Sequence, residues 1–174
     1  MSGLSRGWFL ITLMIVAVLA GCGYRPMGAD SRPDQERLTL AIPPFANRST
    51  EVGLETTMAN AFIQTFGQNK ALRLVTRPEE ADLVLEGKVQ AVENSSVAFF
   101  DVTRSLVRRV TIYVDLTLKR RESGRVVWKE SSHFFEDYVV QPNYHVGEAT
   151  KAMGIRRGAA TLARRALDKV LLAM

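Results

Sequence analysis

The clearest pattern of apolar and polar positions in the chain runs from residue 109 to 119. Val110, Ile112, Val114, Leu116 and Leu118 alternate there with Arg109, Thr111, Tyr113, Asp115, Thr117 and Lys119. Period two is the strand repeat, so one face of this segment is apolar and buried and the other is polar and wet. "RESGR", with Gly124, reads as a hairpin connection to a partner strand from Val126 to about Tyr138 that includes Trp128 and Phe134. Upstream, Leu83 to Glu93 reads as another strand, with Leu83, Leu85, Val89 and Ala91 facing one way and Glu86, Lys88 and Gln90 the other. "NSSVAFF", which ends on Phe99 and Phe100, reads as a loop. Two shorter strands are expected at Leu38 to Ile42 and Leu72 to Val75; the first is stopped by Pro43 and Pro44, which lack ladder donors.

The period changes to that of a helix in two places. From about Glu51 to Phe66, Leu54, Met58, Phe62 and Phe66 recur at four-residue spacing and form one apolar stripe. Ser49 and Thr50 are the expected capping residues before it, and Gly67 the expected C-terminal cap. From Gly147 to Leu172 a second helix, roughly 39 Å long, places Ala152, Ile155, Ala159, Leu162, Ala166 and Val170 on one face. Arg156, Arg157, Arg164, Arg165 and Lys169 keep its other side wet. The small residues on the apolar side mean that this helix lies close against whatever it covers. A sheet with one apolar face and two helices to cover it is an α+β two-layer sandwich, mostly antiparallel or mixed, over residues 37–174.

The first 36 residues follow different rules. Arg6 precedes "WFLITLMIVAVLA", thirteen residues from Trp8 to Ala20. As a helix this run reaches roughly 20 Å, short of the roughly 30 Å hydrocarbon core, so residues 1–21 read as a signal peptide. "LAGC" (Leu19 to Cys22) resembles the bacterial lipobox, in which small residues give a peptidase access to the backbone and the thiol receives a diacylglycerol. Cys22 is the one cysteine of the chain, so no disulfide framework exists. Cleavage leaves it as the first mature residue, with diacylglycerol on sulfur and an N-acyl chain, such as palmitate, on the new amino group. Two or more chains suffice for stable anchoring. Gly23 follows where sorting systems commonly use aspartate for inner-membrane retention, which favours the outer membrane. Residues 22–36, rich in Pro, Gly, Asp and Arg, read as a tether.

Charge and candidate chemistry narrow the function. Across 174 residues, 23 basic and 18 acidic side chains give a net charge of +5. That suits an anionic partner but is no nucleic-acid footprint. The two histidines, His133 and His145, fall on a strand and in a loop. "HVGE" supplies two ligands where a zinc site needs more. Gly-rich phosphate spacings are absent, the thiol is committed to lipid, and the serines lack a His/Asp pattern. The expectation is a non-enzyme with no metal and no cofactor beyond the covalent lipid on Cys22. What remains is a basic hairpin: Arg104, Arg108, Arg109, Lys119, Arg120, Arg121, Arg125 and Lys129. These read either as a solvated strand face and turn or as a site for phosphates or carboxylates of an amphiphile.

Taken together, "GCGYRP" (Gly21 to Pro26), "LTLAIPPFANRSTEVGLE" (Leu38 to Glu55), "ADLVLEGKVQ" (Ala81 to Gln90), "VTIYVDLTLKRRESGRVVWK" (Val110 to Lys129) and the Arg-rich last helix resemble the lipopolysaccharide-assembly lipoprotein family LptE. The resemblance spans nearly the whole mature chain and implies a lipid-anchored outer-membrane protein facing the periplasm. Such a protein supports assembly of the LptD β-barrel, plugs it and helps deliver lipopolysaccharide. Only Cys22 carries over as a matched functional position. Arg104, Arg108, Arg109, Lys119, Arg120 and Arg121 are lipopolysaccharide-binding candidates on chemistry alone. "AIPPFANRS" also resembles the opening of lipoprotein activators of a peptidoglycan synthase, which is the alternative reading.

Overall fold

The computed structural model describes residues 37–99, 105–140 and 144–174. Six strands and two α-helices follow in the order β1 (Leu38–Ala41), β2 (Ala46–Asn47), α1 (Leu54–Gly67), β3 (Leu72–Leu74), β4 (Leu83–Phe99), β5 (Ser105–Arg120), β6 (Val126–Val139) and α2 (Tyr144–Ala173). The sheet order is β3-β1-β4-β5-β6, with β2 beside β4. β3, β1 and β4 pair in parallel, whereas β4, β5 and β6 form an antiparallel meander. This is the expected α+β arrangement: a mixed sheet with both helices packed into one core.

Alternation along β5 sets that core. Val110, Ile112, Val114, Leu116 and Leu118 are each at most 1% exposed. The stripe on α1 comes down on the same side, with Leu54, Met58, Phe62 and Phe66 all buried. Phe45 joins them, its ring 5.1 Å from that of Phe62. It fits because Gly87 carries no side chain: a Cβ there would lie 2.1 Å from Phe45 Cε2. The loop "IPPF" thus drops an aromatic ring into a slot left by a glycine in the strand behind it.

α2 closes on β6 by the same device. Gly158 passes so near Phe134 that a Cβ would sit 2.3 Å from the ring. Ile155, Ala159, Leu162, Ala166 and Val170 of the expected face are buried. Ala152 is exposed, and Lys151 is buried in its place. Its ammonium lies 2.6 and 2.8 Å from the two carboxylate oxygens of Glu51, which makes burial of the charge tolerable. This clasp joins the start of α2 to the loop before α1.

Four local expectations are corrected. α1 starts at Leu54 after Gly53, which holds φ 85° with no side-chain cap. Ser49 instead serves a turn: its N–H and hydroxyl both donate to Asn47 Oδ1, the local competition that keeps such residues out of helix interiors. Gly67 stays right-handed inside the helix, since positive φ occurs only at Gly53 and Gly124 among the described residues. A Cβ on Gly67 would come 3.3 Å from Leu74, so close packing and not a cap accounts for it. In β4 a register shift between Val89 and Ala91 turns the alternation over. Val92 now pairs with Ile112 on the core side, while Ala91 pairs with Tyr113 on the outer face. Finally, β4 does not stop at Glu93. Asn94, Ser95 and Ser96 pair with Val110, Arg109 and Arg108, so the cross-strand ladder overrides a loop-like composition.

The Gly158 contact yields a test. Gly158→Ala adds a methyl against Phe134 in a packed interface and is expected to cost about 1–3 kcal/mol, read as a lower urea midpoint at unchanged slope. An unchanged midpoint would show that α2 does not approach β6 this closely.

Candidate functional site

The basic residues of the hairpin do not form one cluster. Arg108 and Arg109 lie near the start of β5, Lys119 and Arg120 at its end, and Arg121 in the turn beyond. Ten residues of strand separate Arg109 from Lys119, roughly 33 Å. Strand parity divides them again. Arg109 and Lys119 project from the outer face, away from the helices, whereas Arg108 and Arg120 share the parity of the core positions. Arg104, Phe100 and Cys22 lie outside the described residues.

The outer face of β4, β5 and β6 is a ladder of matched polar pairs. Arg109 and Asp137 oppose each other across β5 and β6. They form a bidentate pair, Nε to Oδ1 at 2.7 Å and a terminal guanidinium nitrogen to Oδ2 at 2.9 Å. The hydrogen bond from Arg109 holds the Asp137 carboxyl below its ordinary pKa, and Asp137 raises that of Arg109. The same guanidinium lies 4.3 Å from the centre of the Phe135 ring, a favourable cation–π placement. Tyr113 donates its hydroxyl to Glu93 at 3.2 Å, and that bond raises the phenol's pKa. The Tyr113 ring is 5.7 Å from that of His133 and tilted by 34° to it, so this histidine packs within the ladder. Asp115 accepts from Ser131 at 2.7 Å and from the Gln90 amide. These two bonds, that of Ser131 foremost, hold its carboxyl below the usual value. Lys119 closes the row on Glu86 at 2.6 Å.

Around the turn, Arg121 donates to the Ala81 carbonyl at 2.8 Å. Asp82 beside it accepts from the Thr39 backbone N–H and hydroxyl at 2.8 and 2.7 Å. Those bonds hold its pKa down, aided by the nearby charges of Arg121 and Arg120. Arg109, Lys119 and Arg121 are therefore engaged within the chain. Among the described residues Arg108 and Arg120 form no salt bridge and stand exposed, Arg120 acting on Asp82 through its charge alone. The counter-charges Asp137 and Glu86 were not singled out from the sequence, because only the cross-strand register reveals which residues they oppose.

The two ends of the hairpin differ chemically. Beside Arg108 and Arg109 the sheet shows large apolar side chains to solvent: Phe99 is 60% exposed and Phe135 52%, with Val97 and Val139 nearly as open. Phe99 terminates β4 rather than sitting in a loop. This end offers cations next to apolar surface, whereas the turn end is ionic throughout. Such a juxtaposition fits an amphiphile with an anionic head. His145, expected in a loop, lies in the first turn of α2, which starts at Tyr144 rather than Gly147. Among the described residues no three metal-ligating side chains converge.

The model of the family described as LptE, lipopolysaccharide-assembly, matches residues 38–174. No protein of curated function matches the chain. Several solved structures share the fold at low identity. A protein from Xanthomonas campestris is 12% identical, over 82% of this chain and 90% of that one, with a TM-score of 0.56. The rare lipoprotein B from Shewanella oneidensis is 12% identical, over 76% and 93%, with a TM-score of 0.50. A lipoprotein B from Nitrosomonas europaea is 7% identical, over 76% and 82%, with a TM-score of 0.51.

The Asp115 bonds predict a pH dependence. The folded carboxyl titrates below the ordinary aspartate value of 3.8, so its stabilisation is fully present above that value and fades as pH falls past it. Asp115→Asn should therefore have a lower urea midpoint than the parent at pH 7, and the gap should close towards pH 3. A gap of equal size at both pH values would rule out the ionised acceptor.

Proposed function

The chain belongs to the LptE lipopolysaccharide-assembly family, and from that membership we propose that it is a lipid-anchored outer-membrane lipoprotein that supports assembly of the LptD β-barrel, plugs it, and helps lipopolysaccharide reach the outer leaflet. The observation that carries this reading is the family match over residues 38–174, essentially everything after the tether. The family is non-enzymatic, in keeping with a role in binding and support.

The surface chemistry is compatible with each part of the proposal. An outer face of satisfied polar pairs suits a water-filled barrel lumen, where an apolar face would not. Arg104 is outside the described residues, whereas Arg108 and Arg109 lie at the end that carries Phe99 and Phe135. There they would meet lipid A phosphates while the rings contact acyl chains. Lys119, Arg120 and Arg121 lie too far away to serve the same head group, so in this reading they form a second, separate basic group at the turn. No helix among the described residues is long and apolar enough to cross a membrane; anchoring is assigned to the acyl chains of Cys22.

Three outcomes test the proposal. Crosslinking in the native envelope should capture the LptD barrel; capture of a penicillin-binding protein instead would replace this reading with synthase activation. Cys22→Ala should abolish fatty-acid labelling and release the domain from membranes, and unchanged labelling would end the lipoprotein assignment. Replacing Arg108 and Arg109 together by Ala should weaken lipopolysaccharide binding and flatten its salt dependence, because exposed charges are screened by salt, and adding Arg120→Ala tests the separate group at the turn. Binding with the parent's affinity and salt slope would remove these arginines from the site.

A further inference from the structure

β6 is the outermost strand of the sheet. It pairs with β5 along its length, and among the described residues nothing pairs with its other edge. In a strand of 14 residues, about half of the backbone N–H and C=O groups point away from the partner strand. Edges this long are usually blunted by proline, bulges or a covering element. β6 contains no proline, and its register to β5 is unbroken from Val107–Val139 to Leu118–Trp128.

A groove runs along this edge. α2 lies antiparallel to β6: Arg157 meets Glu136 at 3.3 Å and, three turns on, Lys169 meets Glu130 at 2.6 Å. Between these two ion pairs is an open channel of about 510 Å³, with Ser132 and Phe134 on the strand side and Gly158, Thr161 and Arg165 on the helix side. Arg157, Thr161, Arg165 and Lys169 follow at four-residue spacing along α2. The outer cations of that row have carboxylate partners. Arg165 has none among the described residues, and neighbouring Arg164 reaches only the Thr161 hydroxyl, at 3.1 Å. The rises of about 1.5 Å per helical and about 3.4 Å per strand residue place Arg165 level with Ser132.

A strand laid beside β6 would complete the ladder, and its residue opposite Ser132 would project to the helix side, beneath Arg165. An aspartate or glutamate there gains a charge-assisted bond; a lysine is repelled. A second copy of the chain is the poorer occupant, because edge-to-edge pairing would set two arginine rows of α2 against each other. The tether is poorer too, since Pro26 and Pro33 lack ladder donors. We propose that the open edge of β6 and the groove under α2 accept one extended strand of a partner protein, held through backbone hydrogen bonds and through an acidic side chain on Arg165. The site is independent of which protein supplies the strand, and so goes beyond the barrel reading.

The test uses the full chain in its own envelope with photoreactive benzoylphenylalanine at position 161, in the parent and in Arg165→Lys and Arg165→Glu backgrounds. The expected adduct is with another protein, at a segment carrying Asp or Glu beside the attachment point. Its yield should fall by about tenfold with Arg165→Glu and be largely kept with Arg165→Lys. Four results overturn the proposal: a yield no higher than from the same probe at exposed Gln64, an adduct on residues 22–36 or on a second copy, a captured segment without an acidic residue, or a yield indifferent to the sign at 165. Thermal melts of the variants matching the parent exclude misfolding. A strand captured from LptD supports both readings; one captured from another protein keeps the strand addition and removes the barrel reading; LptD crosslinks elsewhere with none at 161 do the reverse.

Discussion

Every layer of this molecule is referred to the register of β5 against its two neighbours. Five apolar residues at period two give the core its floor, and the same alternation throws Arg109, Tyr113, Asp115 and Lys119 onto the opposite face. A slip of one residue would exchange the two faces entirely. It would bury a row of ionised groups, each costing several kcal/mol or more if left unpaired. The polar ladder outside and the helices inside therefore enforce one pairing from opposite sides. That double constraint explains how strands as long as 16 and 17 residues keep a defined register with helices on one face only.

The ladder also changes what the basic residues can do. Three of the five described candidate cations are engaged within the chain, which weakens their claim on a phosphate. An incoming anion at Arg109 must compete with Asp137, already bidentate, and gains only the difference between the two pairings. The ring of Phe135, 4.3 Å from the Arg109 guanidinium, alters that balance locally. Apolar surface brought against Arg109 removes water from the guanidinium and strengthens whichever anion stays beside it. In the proposed role this coupling would favour an amphiphile over a simple phosphate, since only the amphiphile supplies its own desolvation.

Much of the fold was legible in the sequence because two periods dominate it. The β5 facing, the α1 stripe and the Gly124 turn all follow from spacing that one side of the sheet enforces. The misses share a different cause: each depends on a residue remote in the chain. Nothing near Ala91 announces the bulge that turns it outward, and nothing near Ser95 announces a strand, because both are decided by β5. Lys151 is buried only because Glu51, a hundred residues earlier, meets it. Gly87 and Gly158 look like weak points of a strand and a helix until Phe45 and Phe134 arrive against them. The candidate site was legible as a set of cations but not as an arrangement, since charge partners across an antiparallel pair appear only once register is known.

The hairpin's open end raises a mechanical question that the core answers. From about Glu93 to Phe99, β4 is mostly exposed, so this part of the ladder gains little from burial. A short ribbon in isolation is marginal in water. Here it is the continuation of strands whose other halves are locked between Phe62, Phe134 and the β5 floor. The buried half supplies a pairing that the exposed half continues through Ser96–Arg108, before the register shifts on both sides of Ala98. Regular pairing thus reaches Arg108 and Arg109 without apolar burial at that end. If, as proposed, this surface receives an amphiphile, it cannot also be stabilised by covering it, and exporting order along a strand resolves that conflict.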